Sequence, residues 1–210
     1  MAEIRTEKVS SICSLGMRPL LMTGFLRQVL MEHFAEKRQI EDPSLQEYLW
    51  TSGADSSILI ESITRWTPES AGARPALIIK RNGWRVERRG INDQLMGVGI
   101  SQDPDEVGNS FYTTFMHGSH TIFCLALSGG ECEKLAAEVY RHLITFTPVI
   151  RRELNLHRFL VTEVGPLSGL DESEHHYAVP ITVAYAHEES WTIQPHAPKL
   201  KRIVLQTFEP

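Results

Sequence analysis

The sequence predicts an α+β fold: a largely antiparallel β-sheet with two main α-helices packed on one face, long loops and an N-terminal arm. Apolar residues recur at helical spacing in two segments and alternate with polar residues in most others. The predicted strands are grouped between the helices instead of alternating with them strictly, which is typical of α+β proteins. The 210 residues are 42% hydrophobic and 22% charged, an ordinary composition for a folded soluble protein, which excludes a disordered or collagen-like chain.

Residues 1–20 are weakly patterned and are expected to form an arm or lead-in, while residues 21–210 are expected to form a single domain. The first helix begins near Leu21, and Pro19 suits its first turn. Its apolar face is predicted to consist of Leu21, Phe25, Leu26, Val29, Leu30 and Phe34. The segment IEDPSLQEYLW after it indicates a loop or a short helical turn, and SSILIESITRW indicates a strand.

Two hairpins are predicted in the middle of the chain. Asn82-Gly83 lies between two alternating runs, which is typical of a two-residue turn, so strands are expected at about 76–81 and 84–89. Residues 91–110 show no periodicity and are expected to form a long loop. The second hairpin is expected to comprise strands 111–117 and 120–128, turning at Gly118-Ser119.

A second helix and three further strands complete the prediction. Ser128 with Glu131 three residues later resembles a capping box. The apolar face of the helix is predicted to be Leu135, Ala136, Val139, Tyr140, Leu143 and Ile144. The helix is expected to end before Pro148, with a further helical turn allowed at 149–155. Strands are expected at about 158–164, 177–187 and 200–208.

The histidines are the first place to look for a metal site. His117 and His120 form an H-x-x-H spacing beside the predicted second turn, and His175 and His176 are adjacent. Zinc needs three or four converging ligands, and this spacing supplies at most two. We therefore expect no metal and no other cofactor. A metal-dependent hydrolase using His117, His120 and a carboxylate is kept as the alternative from another functional class.

The remaining candidate ligands and nucleophiles give no stronger signal. The three cysteines, Cys13, Cys124 and Cys132, form no C-x-x-C pair and indicate no disulfide framework. Asp103, Asp105 and Glu106 lie in an acidic loop that lacks the twelve-residue EF-hand pattern. No phosphate-binding glycine loop or nucleophile elbow is present, so the sequence predicts no enzyme activity.

Membrane insertion is not expected either. Residues 107–130 carry no Asp, Glu, Lys or Arg, but they contain two histidines and a Gly-Ser pair at the centre. A membrane-spanning helix needs about 20 predominantly apolar residues. The N-terminal segment also lacks the basic and apolar regions of a signal peptide.

Charge is distributed unevenly along the chain. The net charge is -5; residues 1–90 carry +2 and residues 91–210 carry -7. Residues 80–89 hold five basic side chains and one acidic one, whereas residues 159–198 contain no Lys or Arg. The basic set is Lys80, Arg81, Arg85, Arg88 and Arg89, and the acidic set is Glu163, Asp171, Glu172, Glu174, Glu188 and Glu189.

Three interpretations of this pattern remain open. The two sets could pair within one molecule, or the basic hairpin of one subunit could meet the acidic stretch of the next and close a ring. A nucleic-acid contact is the weakest interpretation, because a lone Trp84 provides no stacking platform. Aromatic side chains are frequent interface anchors, so the predicted interface also includes Trp84, Tyr185 and Trp191.

The chain resembles the neck and connector proteins of tailed bacteriophages, most nearly the tail-terminator, or tail-completion, family. The resemblance lies in ESAGARPALIIKRNGW, in HGSHTIFCLALSGGECEKLAAEVYRHLITFTPVIRREL, and in FLVTEVGPL with YAVPITVAYAHEESWTIQPHAPKLKRIVL. With gaps between them, these segments lie within residues 69–205, a range of over half the chain. The N-terminal 50 residues and the 91–110 segment exceed what a minimal terminator needs.

The resemblance implies a structural virion protein without enzyme activity. Such a subunit forms a homo-oligomeric ring, usually of six copies, that terminates the tail tube and joins it to the neck. The implied partners are neighbouring neck and tail-tube proteins, with DNA passing through the lumen without specific binding and no membrane involved. The implied location is the virion after assembly in the host cytoplasm. A stopper or collar layer of the neck and a host-interaction module are the other interpretations.

Overall fold

The computed structural model describes residues 19–53, 56–67, 72, 74–87, 95–98, 110–170 and 173–193. The chain divides into two compact units. The larger unit comprises Leu15–Glu87 and Phe115–Glu188, and the smaller comprises Met1–Ser14, Arg88–Thr114 and Glu189–Pro210. The expected arm at 1–20 lies almost wholly outside the described residues, and the expected single domain over 21–210 stays a prediction.

The first helix, α1, spans Pro19–Ala35, as predicted. Its buried face consists of Met22, Leu26, Leu30 and Phe34, which follow one another at four-residue spacing along one side of a helix. Leu21 is 47% exposed, so Met22 takes the place that the sequence pattern gave to Leu21. The following segment contains two short 3₁₀ turns, Lys37–Gln39 and Pro43–Leu45.

The second helix, α2, spans Gly129–Glu153. The Ser128 hydroxyl accepts a hydrogen bond from the backbone N–H of Glu131, which confirms the predicted cap. The predicted end before Pro148 is wrong, since the helix continues for another turn. Ile150 is buried on the core side of that last turn, and its packing offsets the backbone hydrogen bond that a proline cannot make.

Among the residues predicted to face the core from α2, four are buried, namely Leu135, Ala136, Val139 and Leu143. Tyr140 and Ile144 are exposed instead. Helical spacing places both at the edge of the apolar stripe, so the sequence pattern alone does not separate them from the buried residues.

Seven strands lie within the described residues. They are β1 (Leu59–Ser62), β2 (Ala76–Glu87), β3 (Leu95–Val98), β4 (Ser110–Ala126), β5 (Arg158–Val164), β6 (Ser168–Leu170) and β7 (Ser173–Ile193). In the larger unit the strand order is β1-β2-β4-β7-β5, with β6 paired to β7. The β1–β2 pair is parallel, and β2–β4, β5–β7 and β6–β7 are antiparallel. The predicted α+β class with a mostly antiparallel sheet is confirmed.

Both predicted hairpins are wrong. Residues 76–87 form one continuous strand, and residues 110–126 form another; the two pair with each other. Asn82-Gly83 lies at an irregularity in the register between Arg81 and Trp84, so this dipeptide forms a bulge and not a turn. Gly118 lies within β4 directly opposite Trp84.

The other predicted strands and the predicted loop agree with the structure to different extents. β5 is at the predicted position, β1 is shorter than predicted and β6 was not predicted. In the smaller unit, β3 lies within the expected 91–110 loop and pairs antiparallel with the first residues of β4. The predicted strand at 200–208 and the rest of the loop lie outside the described residues.

The core lies between one face of the sheet and the two helices. Leu77, Ile79, Ile122, Cys124 and Val183 pack from the strands into a single cluster with the buried faces of α1 and α2. A smaller apolar cluster, including Ile78, Leu125 and Ala178, lies on the other face. Of the described helices, none is long and apolar enough to cross a membrane.

Candidate interaction surface

β2 presents the basic side chains that the sequence singled out. Lys80, Arg81 and Arg85 are all exposed, and none of the ion pairs found among the described residues involves them. Arg88 and Arg89 lie outside the described residues. The register with β4 places Lys80 and Arg85 on one face of β2, opposite Thr121 and His117, and Arg81 on the other face, opposite His120. We define the basic strand surface as these three exposed residues, which lie on both faces of the strand.

A chain of polar contacts fixes the strand beneath this surface. Trp84 Nε1 donates a hydrogen bond to the Tyr185 hydroxyl at 3.1 Å. The Tyr185 hydroxyl and His120 Nδ1 are 3.3 Å apart, and His120 Nε2 lies 2.8 Å from Thr23 Oγ1. One assignment that satisfies every group has the indole donating to the tyrosine hydroxyl, the hydroxyl donating to Nδ1 and the imidazole Nε2–H donating to the threonine. The contacts therefore link β2, β7, β4 and α1.

Two of the expected interface anchors belong to this chain of contacts. Tyr185 is 1% exposed, and burial raises its pKa to about 12, so it remains a neutral hydroxyl. Trp84 is partly buried and meets the Tyr185 ring edge to face, with centroids 6.4 Å apart. Both therefore stabilise the subunit from within, which corrects the expectation that Tyr185 is a surface anchor. The side chain of Trp191 lies outside what the structure describes.

His117 and His120 do not converge on a common point. His117 is exposed, and its Nε2 lies 2.7 Å from a carboxylate oxygen of Glu87. His120 is fully buried and its two ring nitrogens are taken by Tyr185 and Thr23. In the described part of the chain, no group of three or more His, Cys, Asp or Glu side chains could hold a metal ion.

A further histidine, His187, lies close to this region and was not anticipated. It is 5% exposed, its ring packs against Trp84 at 5.5 Å between centroids, and neither ring nitrogen has a hydrogen-bond partner. Burial lowers its pKa, and nearby His157 and His117 lower it further. The side chain is therefore held neutral.

The cysteine side chains of the core are not nucleophiles. Cys124 and Cys132 are free and buried, and the Cys132 thiol donates to the Cys124 carbonyl at 2.9 Å. Burial raises the pKa of Cys132 to about 11 and raises that of Cys124 as well. Both stay protonated at neutral pH, so they act as small apolar residues.

The predicted acidic set is only partly described. Glu163 is exposed on β5, which is separated from β2 by β4 and β7. Glu188 lies 3.2 Å from His157 Nε2, and Glu189 is partly buried. Asp171 and Glu172, together with the side chain of Glu174, lie outside the described residues. Within the sheet, the basic strand surface and Glu163 therefore occupy different regions.

β2 therefore carries exposed cations on a strand that is paired with β4. Compared with models of known protein families the chain matches none, and compared with curated proteins it matches none either.

Proposed function

We propose that the chain is a non-enzymatic structural subunit of a homo-oligomeric ring at the head–tail junction of a tailed bacteriophage. The ring, of about six copies in the manner of the family that the sequence resembles, ends the tail tube and joins it to the neck. A stopper or collar layer of the same neck is the alternative position.

The observation that carries the proposal is the exposure of Lys80, Arg81 and Arg85 on β2. The strand is fixed by its pairing with β4 and by the Trp84–Tyr185 contact, so little side-chain or backbone order has to be gained on binding. A basic surface in one place and acidic surfaces elsewhere on the same subunit favour a head-to-tail contact between copies. Such contacts generate a ring when the rotation closes.

The overall charge supports the proposed lumen. With a net charge of -5, a ring of several copies is strongly acidic. DNA passing through it is repelled by walls of like charge, so it slides without specific binding. Neighbouring neck and tail-tube proteins would contact the two open ends of the ring.

The oligomeric mass of the purified chain tests the proposal. We expect native mass spectrometry to show a closed oligomer and negative-stain electron microscopy to show rings with a central channel. Gold-labelled antibodies should mark the head–tail junction of the virion. A chain that remains a monomer at all concentrations and on purified tail tubes would contradict the proposal.

A double charge reversal tests the electrostatic part. Arg88→Glu with Arg89→Glu should weaken assembly, since both residues extend the basic run along the sequence. Lys37→Glu with Arg38→Glu is the matched control, because these two exposed residues lie in a 3₁₀ turn outside the sheet. Assembly that is equally strong in both variants would contradict a basic contact surface.

A further inference from the structure

A groove between α1 and α2 has the features of a binding surface. Its cavity measures about 590 Å³, within the range of sites that receive side chains or small ligands. Phe25 and Val29 of α1 form one wall, and Phe146, Val149 and Ile150 of α2 form the other.

The wall formed by α2 has an apolar part that is open to solvent. Phe146 is 43% exposed and Val149 is 42% exposed. They are three residues apart on one helix, so their side chains lie side by side. An exposed apolar pair at the mouth of a groove is typical of a surface that another chain covers.

The floor of the groove is a satisfied polar cluster around Glu138, which is 1% exposed. Its carboxylate accepts hydrogen bonds from the backbone N–H groups of Glu41 at 3.0 Å and Asp42 at 3.3 Å. It also lies 3.0 Å from His33 Nε2 and from the guanidinium of Arg141. These groups are occupied by one another, so the floor fixes the shape of the groove.

The charge of the groove is negative. Four carboxylates line it, those of Glu32, Glu41, Glu138 and Glu153. The one guanidinium in its lining, that of Arg141, pairs with Glu41 and Glu138, and Glu153 pairs with Arg152 outside the lining. His33 and His142 add no positive charge at neutral pH, because burial lowers the pKa of both, that of His142 to about 4. A chain segment that complements this groove has a cationic side chain to match its carboxylates and an apolar side chain to cover its exposed apolar residues.

The chain itself carries a segment of that description. Arg81 and Val86 lie on the same face of β2, opposite His120 and Met116 of β4, and Val86 is 49% exposed. Arg85 is exposed on the other face of the strand. Residues 80–89 carry five basic side chains and one acidic one. We infer that the groove between α1 and α2 receives the Arg81–Glu87 end of β2 from a second copy of this chain. The inference rests on the proposed ring and names the acidic partner of its basic strand surface.

A charge-swap experiment tests this pairing. Glu32→Lys with Glu153→Lys should weaken assembly about tenfold or more, and Arg81→Glu with Arg85→Glu should do the same, because each places like charges opposite one another. Combining all four substitutions restores opposite charges and should recover most of the assembly. Glu47→Lys with Glu133→Lys is the matched control, since both residues are exposed acids outside the groove. Circular dichroism and urea unfolding establish that each variant is folded.

Disulfide trapping gives a second readout. The native cysteines Cys124 and Cys132 are buried. Replacing the third, Cys13, with Ser leaves the introduced cysteines as the ones to be trapped. Mixing a Phe146→Cys variant with a Val86→Cys variant should then give a covalent dimer on oxidation. A Tyr140→Cys variant is the control, since Tyr140 is exposed on the same helix but does not line the groove.

The outcomes separate the inference from the proposed function. If rings form and the groove variants assemble as strongly as the control, the groove does not receive β2, and the ring proposal stands. If each pair of substitutions weakens assembly but the combined variant does not recover it, the pairing of the groove with β2 is also wrong. If the unmodified chain never assembles, both the ring and the groove contact are wrong.

Discussion

Gly118 is the residue that allows β2, β4 and β7 to pack closely around Trp84 and Tyr185. A Cβ atom at this position would lie 2.6 Å from Tyr185 Cζ and 2.7 Å from Trp84 Nε1. Both distances are far below van der Waals contact, and both rings are held by the hydrogen bond between them. The role of this glycine is space for two aromatic rings, not a turn.

We expect Gly118→Ala to lower the free energy of unfolding by about 1–3 kcal/mol, the usual cost of overpacking a core. Urea unfolding followed by tryptophan fluorescence measures it. Gly83→Ala is the control on the neighbouring strand, because nothing lies within 4 Å of a Cβ there and its φ is not positive. Equal effects of the two substitutions would contradict the steric argument.

Glu138 is a second residue whose replacement has a defined consequence. Glu138→Leu preserves the approximate volume but leaves His33 and the backbone N–H groups of Glu41 and Asp42 without their acceptor. Arg141 keeps only its ion pair with Glu41. Removing one member of a buried charged cluster costs about 3–5 kcal/mol. Chemical unfolding should show that loss. Glu133→Ala, an exposed site on the same helix, should change stability by less than about 0.5 kcal/mol.

The sequence could identify the basic residues of the candidate surface but not the residues that support them. Lys80, Arg81 and Arg85 are recognisable because their charges are concentrated in one short segment. The contact between Trp84 and Tyr185 joins residues 101 positions apart, and no local pattern indicates it. His187 was also missed, because its burial depends on the aromatic ring of a distant strand.

At the level of elements, the two wrong hairpins have a common cause. Asn82-Gly83 and Gly118-Ser119 each carry turn chemistry, but the two segments face one another across β2 and β4. One supplies a bulge and the other a site where aromatic rings approach the backbone. Both are established uses of glycine within strands, and they depend on the neighbouring strand, which the local sequence does not specify.

The start of α2 shows the opposite case, since a local signal was sufficient. Ser128 accepts from the Glu131 N–H at 3.2 Å, and Ser128→Ala removes that acceptor. We expect a loss of about 1 kcal/mol in the free energy of unfolding. Ser128→Asp keeps an acceptor and adds a negative charge at the helix N-terminus, so its stability should match or exceed that of the unmodified chain. Calorimetry of the unmodified chain, Ser128→Ala and Ser128→Asp measures the three melting temperatures. Identical melting temperatures for the two variants would contradict a capping role of the residue 128 side chain.

At the level of the whole molecule, the fold class could be predicted because hydrophobic periodicity is a property of each segment. The order of strands could not, since it is set by how the segments share one core. The groove between α1 and α2 was missed for the same reason. Its walls come from Phe25 and Val29 on one helix and Phe146 and Val149 on the other, and only their packing against one sheet face brings these residues together.

Three histidines make the stability of the molecule depend on pH; His33 and His187 are buried and His142 is partly buried. Burial lowers the pKa of His33, His142 and His187, and the value for His142 is about 4. In the unfolded chain a histidine has a pKa near its ordinary value of 6.5. Between these values the unfolded state binds protons that the native state does not. The stabilisation is therefore complete above about pH 6.5 and is lost as the pH falls towards the folded pKa values.

We expect the free energy of unfolding, measured in urea, to decrease steadily from pH 7.5 to pH 5. His142→Gln should reduce that decrease, because the amide can still donate to the Val29 carbonyl that His142 contacts but does not titrate. His117→Gln is the control, since His117 is exposed and bound to Glu87 at the surface; it should leave the pH dependence set by the buried histidines in place. A stability that is constant or rises as the pH falls to 5 would show that these rings are already charged in the native state, and the groove floor between α1 and α2 would then carry positive charge against a basic occupant.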